Sequence, residues 1–380
     1  MLLLSSGVLM AAVGALAGYA LAPSPRLATV PAVTYVLGAA ISTLPASLFM
    51  KRRGRRAGFL LGSSLGMAGG AVGAIAIALH SFTLLLAGTF LCGIYNAFGQ
   101  YYRFAAADAA PPDWQSRAIS LTLAGGIFGG FIGPAVGRFT RNLVEPQFLA
   151  SYAALAVFAL ASFIIAAGLS FPEQSAEERH GTGRPLGVIL RQPAVVVAVL
   201  AAAVGYGVMN LLMSVTPLAM DLCCHHPFAD ATFVLQWHVI GMFAPSFFTG
   251  GLIRRVGVLN VLLAGAALMF VCVAIAMSGV TLMHFWWALT LLGVGWNFLY
   301  IGGTMLLTEA HRPAEKAKVQ GVNDSLVFAV MVSSSLTSGV VVTGTGGWAM
   351  LTRLTVPFLA VTALATSILW IREHRSMARG

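Results

Sequence analysis

Apolar runs as long as a bilayer is thick fill almost the whole of this chain, and that single pattern excludes most folds. A helix needs about 20 mostly apolar residues to cross the hydrocarbon core. Segments 2–22, 28–50, 57–79, 81–104, 116–137, 147–171, 193–221, 229–253, 258–278, 281–309, 318–343 and 348–371 each reach that length. With 58% of the 380 residues hydrophobic and 9% charged, there is too little polar surface to coat a soluble globule of this size. In lipid each span must satisfy its own backbone polar groups, so the runs read as helices. The expected fold class is an all-α membrane protein with twelve transmembrane helices.

The loop Lys51-Arg52-Arg53-Gly54-Arg55-Arg56 orients these spans. Five cations within six residues cannot sit in hydrocarbon, and short basic loops stay on the cytoplasmic side. Threading the chain from that loop leaves only Arg26, Arg138, Arg141 and Arg353 of the 22 basic residues toward the outside. Both termini are then cytoplasmic. Only Lys51, Lys316 and Lys318 of those cations are lysines, and Ala and Gly are abundant, which points to a GC-rich bacterial genome and a bacterial cytoplasmic (inner) membrane.

The formal charge of +10 does not indicate nucleic acid, because the cations lie in short loops rather than on one folded face. Residues 1–22 end in Ala20-Leu21-Ala22, the small-residue pattern of a signal-peptidase site. They lack a basic n-region and match a bilayer in length, so they read as the first span. Cys92, Cys223, Cys224 and Cys272 are too scattered for a disulfide framework. Cys223-Cys224-His225-His226 offers soft ligands, but adjacent ligands without spacers rarely converge on one tetrahedral ion, so no metal is expected.

Pro172 to Gln192 is the only polar stretch of any length, with Glu173, Glu177, Glu178, Arg179, His180 and Arg184, and it reads as a flexible linker. It divides the spans six and six. Pro112, Arg117, Tyr95-Asn96 and Asp108 align with Pro313, Lys318, Trp296-Asn297 and Glu309 at an offset of 201 residues. Gly54 aligns with Gly257 at 203, where Arg254-Arg255 repeat the basic loop in weaker form. The expected domains are an N-terminal six-helix bundle over 1–171, a linker over 172–192 and a C-terminal bundle over 193–380. Repeats of this kind build many transporters, with a site near the bilayer midplane.

A polar side chain inside a membrane is costly and tends to face a bundle interior or a wet cavity. The fourth span carries Tyr95, Asn96, Gln100 and Arg103; the seventh Tyr206 and Asn210; the eighth Trp237 and His238; the tenth Trp296 and Asn297; the eleventh Asp324. Aromatic faces stack flat ligands while amides both donate and accept. The expected substrate contacts are therefore Tyr95, Asn96, Gln100, Tyr206, Asn210, Trp237, His238, Trp296 and Asn297, with Asn96 and Asn297 facing a central chamber. Asp324 is the clearest intramembrane acid, a candidate for a proton or cation relay or for a helix-end ion pair. Arg103 is a candidate for holding an anion or for snorkelling to the surface.

These features together resemble a twelve-helix member of the major facilitator superfamily over essentially the whole chain. The loop Ser47 to Arg56 is similar to that family's signature of a glycine, an acid and Arg-x-Gly-Arg-Arg, matched by Arg52, Gly54, Arg55 and Arg56. Lys51 holds the place of the acid and Ser47 that of the leading glycine. The resemblance implies a gating role for the loop, with its charge pairing moved elsewhere, Asp108, Asp113 and Glu309 being candidates. Gly129, Gly133-Pro134 and Gly137 are spaced like the family's antiporter motif, with Arg138 in place of its last glycine. The fourth span lacks the arginine that many proton-coupled members carry, Thr89 standing near its place, so the resemblance does not imply proton coupling by that route.

What the resemblance implies is secondary active transport of a small organic solute by alternating access, without enzymatic activity or cofactor. The aromatic residues and the shortage of core charge favour an aromatic, weakly charged solute, and riboflavin is a candidate because some bacterial members carry flavin-like vitamins. A proton-coupled drug or metabolite exporter is one alternative, and a non-transporting membrane sensor or assembly protein is another. The expected partners are the solute, the lipid bilayer and protons as coupling ion, in a monomer.

Overall fold

A computed structural model of the chain describes residues 1–24, 27, 30–172, 181, 183–224, 226–343 and 347–377. Arg26, the linker residues Glu173, Glu177, Glu178, Arg179 and His180, His225 of the Cys-Cys-His-His run, and Arg379 lie outside them. Among the described residues every regular element is helical, and helices fall on all twelve predicted segments. In the amino-terminal part these are α1 (Leu2–Leu21), α2 (Val30–Arg53), α3 (Arg55–Ala78), α4 (Phe82–Gly99), α5 (Tyr102–Ala109), α6 (Gln115–Thr140) and α7 (Leu149–Gly168). After a short α8 (Leu186–Ile189) come α9 (Pro193–Cys224), α10 (Phe228–Phe243), α11 (Ser246–Val256), α12 (Val258–Ser278), α13 (Leu282–Ala310), α14 (Lys316–Thr343) and α15 (Gly347–Met377). Nine spans among the described residues are long and apolar enough to cross a membrane.

Two predicted spans are broken. The segment 81–104 divides at Gln100–Tyr101 into α4 and α5, which runs on to Ala109. The segment 229–253 divides at Ala244–Pro245, where the proline lacks the N–H that would continue the ladder. Pro45, Pro134 and Pro357 lie inside α2, α6 and α15, as membrane helices permit when neighbours satisfy the freed carbonyls.

The repeat is visible in local conformation. Gly54 between α2 and α3 has φ 86° and ψ 163°, and Gly257 between α11 and α12 has φ 87° and ψ 152°. That region of backbone space is essentially glycine-only, so the same residue recurs where the same reversal recurs. Cations occupy the preceding helix ends in both places, Lys51, Arg52 and Arg53 in α2 and Arg254 and Arg255 in α11, where they complement the negative end of the helix dipole. Short 3-10 turns likewise precede α6 at Pro112–Trp114 and α14 at Pro313–Glu315.

Two compact units form. One comprises Met1–Ala105, Gly125–Thr182 and Pro313–Ser325; the other comprises Ala106–Ala124, Gly183–Arg312 and Leu326–Gly380. In the first, α3 packs on α4 and α7 through small residues: a Cβ at Gly70 would lie 2.4 Å from the Ala156 nitrogen. Gly129 and Gly133 of α6 press in the same way on Leu4, Ser5 and Val8 of α1, so the glycines of the antiporter-like motif serve a close helix contact. In the second unit α13 is the centre, packed against α9, α10 and α12 and more buried than any other span.

Candidate functional site

A polar ladder runs through the first unit. Asn96 of α4 and its C-cap residue Gln100, still in helical conformation, are four residues apart and so fall on one side, and Gln100 Nε2 donates to Asn96 Oδ1 at 3.3 Å. Arg103 of α5 donates through Nη1 to Gln100 Oε1 at 3.1 Å and through Nη2 to Asp324 Oδ1 at 2.5 Å. Asp324 lies two turns into α14, and both side chains of the pair are almost wholly buried. Asn323 Nδ2 also donates to Asp324 Oδ1, at 2.8 Å, and the Phe104 ring covers the guanidinium at 4.6 Å. Asp324 Oδ2 and Asn323 Oδ1 are buried without a hydrogen-bond partner among the described residues. A charge pair held this dry costs much to assemble and more to break.

The basic loop packs beside the same stretch of α14. Arg55 is buried, donates to Gln320 Oε1 at 2.9 Å and lies 5.7 Å from the Tyr101 ring, while the Tyr101 hydroxyl donates to the Thr43 carbonyl at 2.8 Å. Lys51, at the place of the family's acid, donates to the Gly181 carbonyl at 2.7 Å and reaches the Ala314 carbonyl at 3.5 Å. Arg56 donates to the Ala167 carbonyl at 2.5 Å, and Arg52 is exposed at the end of α2. The structure has a buried acid–base pair in this unit between Asp324 and Arg103.

Ser47 Oγ donates to the Ala317 carbonyl at 2.6 Å, and a Cβ at Gly321 would meet Leu44 Cδ1 at 2.7 Å, so α2 and α14 touch almost backbone to backbone. The second unit repeats this contact at the aligned positions. Ser116 Oγ donates to the Gly250 carbonyl at 2.9 Å, the Gly250 N–H donates to Ser120 Oγ at 3.1 Å, and Ser120 donates to the Ser246 carbonyl. A Cβ at Gly250 would stand 2.4 Å from the Ser116 oxygen.

Rings gather around Trp296 in the second unit. Trp296 stacks on Tyr300 with centroids 5.1 Å apart, Tyr206 meets both edge-on at 5.2 and 5.0 Å, and Phe243 meets Trp296 edge-on at 5.8 Å. Trp296 Nε1 is buried without a hydrogen-bond partner among the described residues. Asn210, one turn beyond Tyr206 on α9, turns its amide nitrogen to Ser334 Oγ and Ser335 Oγ at 2.8 and 2.7 Å. Tyr300, a polar residue of the same span that was not among the expected substrate contacts, and Phe243, which the sequence did not single out, complete this cluster; Tyr300 follows Trp296 at the four-residue spacing of one helix face.

The adjacent residues read as pairs separate, because neighbours on a helix project in different directions. Tyr95 turns into its own bundle and donates to Ser162 Oγ on α7 at 2.7 Å, away from the ladder of Asn96. Trp237 is exposed at 37% in a ring patch with Phe233 and Trp286, whereas His238 is wholly buried with Nδ1 2.7 Å from the Leu289 carbonyl. Asn297, expected to offer its amide to a solute, lies at the junction of α10 and α11. Its Nδ2 donates to the Met242 carbonyl at 2.7 Å and to Ser246 Oγ at 2.5 Å, and Thr249 Oγ1 donates to its Oδ1 at 2.8 Å. It ties the proline break to α13. Asn297→Leu should lower stability by about 2–3 kcal/mol, since it leaves buried polar groups unpaired, and thermal unfolding in detergent measures it.

Among the described residues no three His, Cys, Asp or Glu side chains come together as metal ligands. Apolar helices of bilayer length, charge concentrated near their ends and polar ladders buried among them define a multi-pass α-helical membrane protein built from a repeat. The family profile described as "Major Facilitator Superfamily" matches residues 1–335. The riboflavin transporter RfnT of Brucella anthropi is 38% identical over 94% of this chain and 90% of its own length. The MFS-type transporter YdeG of Bacillus subtilis is 28% identical, with 87% and 81% covered. Among solved structures, the fucose:proton symporter FucP of E. coli superposes with a TM-score of 0.74 at 19% identity, over 96% of this chain and 97% of that one. The chain belongs to the major facilitator superfamily, and it is a membrane transporter.

Proposed function

We propose that this transporter moves a flat, aromatic, weakly charged solute, with riboflavin the leading candidate, by secondary active transport between two alternately accessible states. The observation that carries the reading is the ring cluster of Tyr206, Trp296 and Tyr300 in a chain 38% identical to a riboflavin transporter. A tricyclic ring system suits stacking of this kind, and the unpartnered Trp296 Nε1 offers a donor to a ring carbonyl. Asn210 sits one turn from Tyr206 and supplies an amide edge on the same helix. In this reading Arg103 and Asp324, with Arg52, Gly54, Arg55 and Arg56, form the gate of the first unit. Protons are the coupling ion, the protein acts as a monomer in the bacterial inner membrane, and both termini are cytoplasmic. The working halves are 1–171 and 193–380, joined by the linker 172–192.

Reconstituted vesicles test this directly. Radiolabelled riboflavin should accumulate in vesicles that hold the protein, above empty vesicles, and accumulation should collapse when the proton gradient is dissipated. Trp296→Ala should lower transport efficiency about tenfold, the equivalent of 1.4 kcal/mol of lost stacking. Failure of riboflavin, or of any flat aromatic competitor, to be moved in vesicles of either orientation would overturn the substrate reading.

A further inference from the structure

We infer that the second unit carries a binding site for one anionic phospholipid, lying across the contact between α6 and α11. A groove of about 570 Å³ opens there, with Arg117, Arg255, Trp114, Leu121, Phe247 and Phe248 among its lining residues. Neither arginine forms an ion pair among the described residues, although the Arg117 guanidinium is braced 4.8 Å from the Trp114 ring. Leu121 of α6 and Phe247 and Phe248 of α11 are 52, 59 and 56% exposed, so in a membrane they present apolar surface to acyl chains. Two guanidinium forks at a helix end, next to an aromatic residue of the interfacial kind and above an apolar wall, match the layout of a phosphodiester headgroup and its tails. Basic pockets between membrane helices are a recognised place for anionic headgroups.

The geometry separates this site from ordinary snorkelling. A snorkelling arginine reaches out to any headgroup, whereas here the two charges come from different helices that share three hydrogen bonds, Ser116 to Gly250, Ser120 to Ser246 and Gly250 to Ser120. A single phosphate held by both Arg117 and Arg255 therefore bridges that contact and stabilises it.

Thermal unfolding of the full chain in nanodiscs tests the site. In phosphatidylcholine with added phosphatidylglycerol the wild type should melt higher than in phosphatidylcholine alone, and R117Q/R255Q should lose that gain while R254Q keeps it. The double variant should weaken apparent phosphatidylglycerol affinity roughly 25-fold, from about fivefold per basic side chain. The same gain in R117Q/R255Q would overturn the inference. So would a gain produced by sn-glycerol 1-phosphate alone, which would mark a soluble-anion site. Native mass spectrometry of the wild type gives a reading that needs no variant: preferential retention of one phosphatidylglycerol supports the site, and equal retention of phosphatidylcholine overturns it.

Discussion

Asp324→Ala is expected to lower the stability of the protein by about 3–5 kcal/mol, the usual cost of stranding one member of a buried ion pair. The stranded group would be Arg103, buried beneath the Phe104 ring. Arg103→Ala should cost a similar amount, because it leaves a buried carboxylate without its counter-charge, held by the Asn323 amide. The informative variant is the double replacement Arg103→Met with Asp324→Leu. Apolar pairs of similar volume often replace buried ion pairs without loss of stability, so this protein should regain most of its melting temperature. Transport should remain at background, since in the proposed cycle the pair is made and broken. Thermal shift and vesicle uptake on the three variants decide the matter, and full transport by the double variant would remove the pair from the gate.

Gly250→Leu is the second large effect. Its new side chain would begin 2.4 Å from the Ser116 carbonyl oxygen and 2.7 Å from the Arg117 Cα, and those are backbone atoms that no rotamer change can move. Overpacking costs roughly 1–3 kcal/mol when side chains can adjust, and a shift of 1.4 kcal/mol changes a population about tenfold. The helices α6 and α11 should part, and transport should fall to background while the chain stays folded. A cysteine placed at Ser120, which bonds the facing Gly250 and Ser246 backbone in the intact protein, should react with maleimide about tenfold faster in the Gly250→Leu background. Unchanged labelling together with unchanged transport would show that this contact need not be tight.

Much of the fold could be read from the chain because cost in lipid is so one-sided. Apolar length placed helices on all twelve predicted segments, and the offsets of 203 between Gly54 and Gly257 and 201 between Pro112 and Pro313 correspond to repeated backbone geometry. The breaks at Gln100 and Pro245 were hidden, because hydropathy averages over a window and registers depth rather than direction. The same limit governed the site. Depth grouped Tyr95 with Asn96, Trp237 with His238 and Trp296 with Asn297, but one residue along a helix rotates the side chain by about 100°, and each pair separates onto different neighbours. The partnership of Arg103 with Asp324 was equally invisible, since it joins residues 221 apart and nothing in either segment names the other.

That separation has a consequence for how the protein is made. At roughly 5–20 residues per second, the ribosome delivers Asp324 some 10–40 seconds after Arg103. During that interval the nascent amino-terminal helices carry an arginine whose carboxylate has not yet been synthesised. Insertion is therefore expected to proceed with α5 held at the lipid surface or shielded by the insertion machinery until α14 arrives. Chains truncated before residue 324 should be recognised and degraded as unfinished.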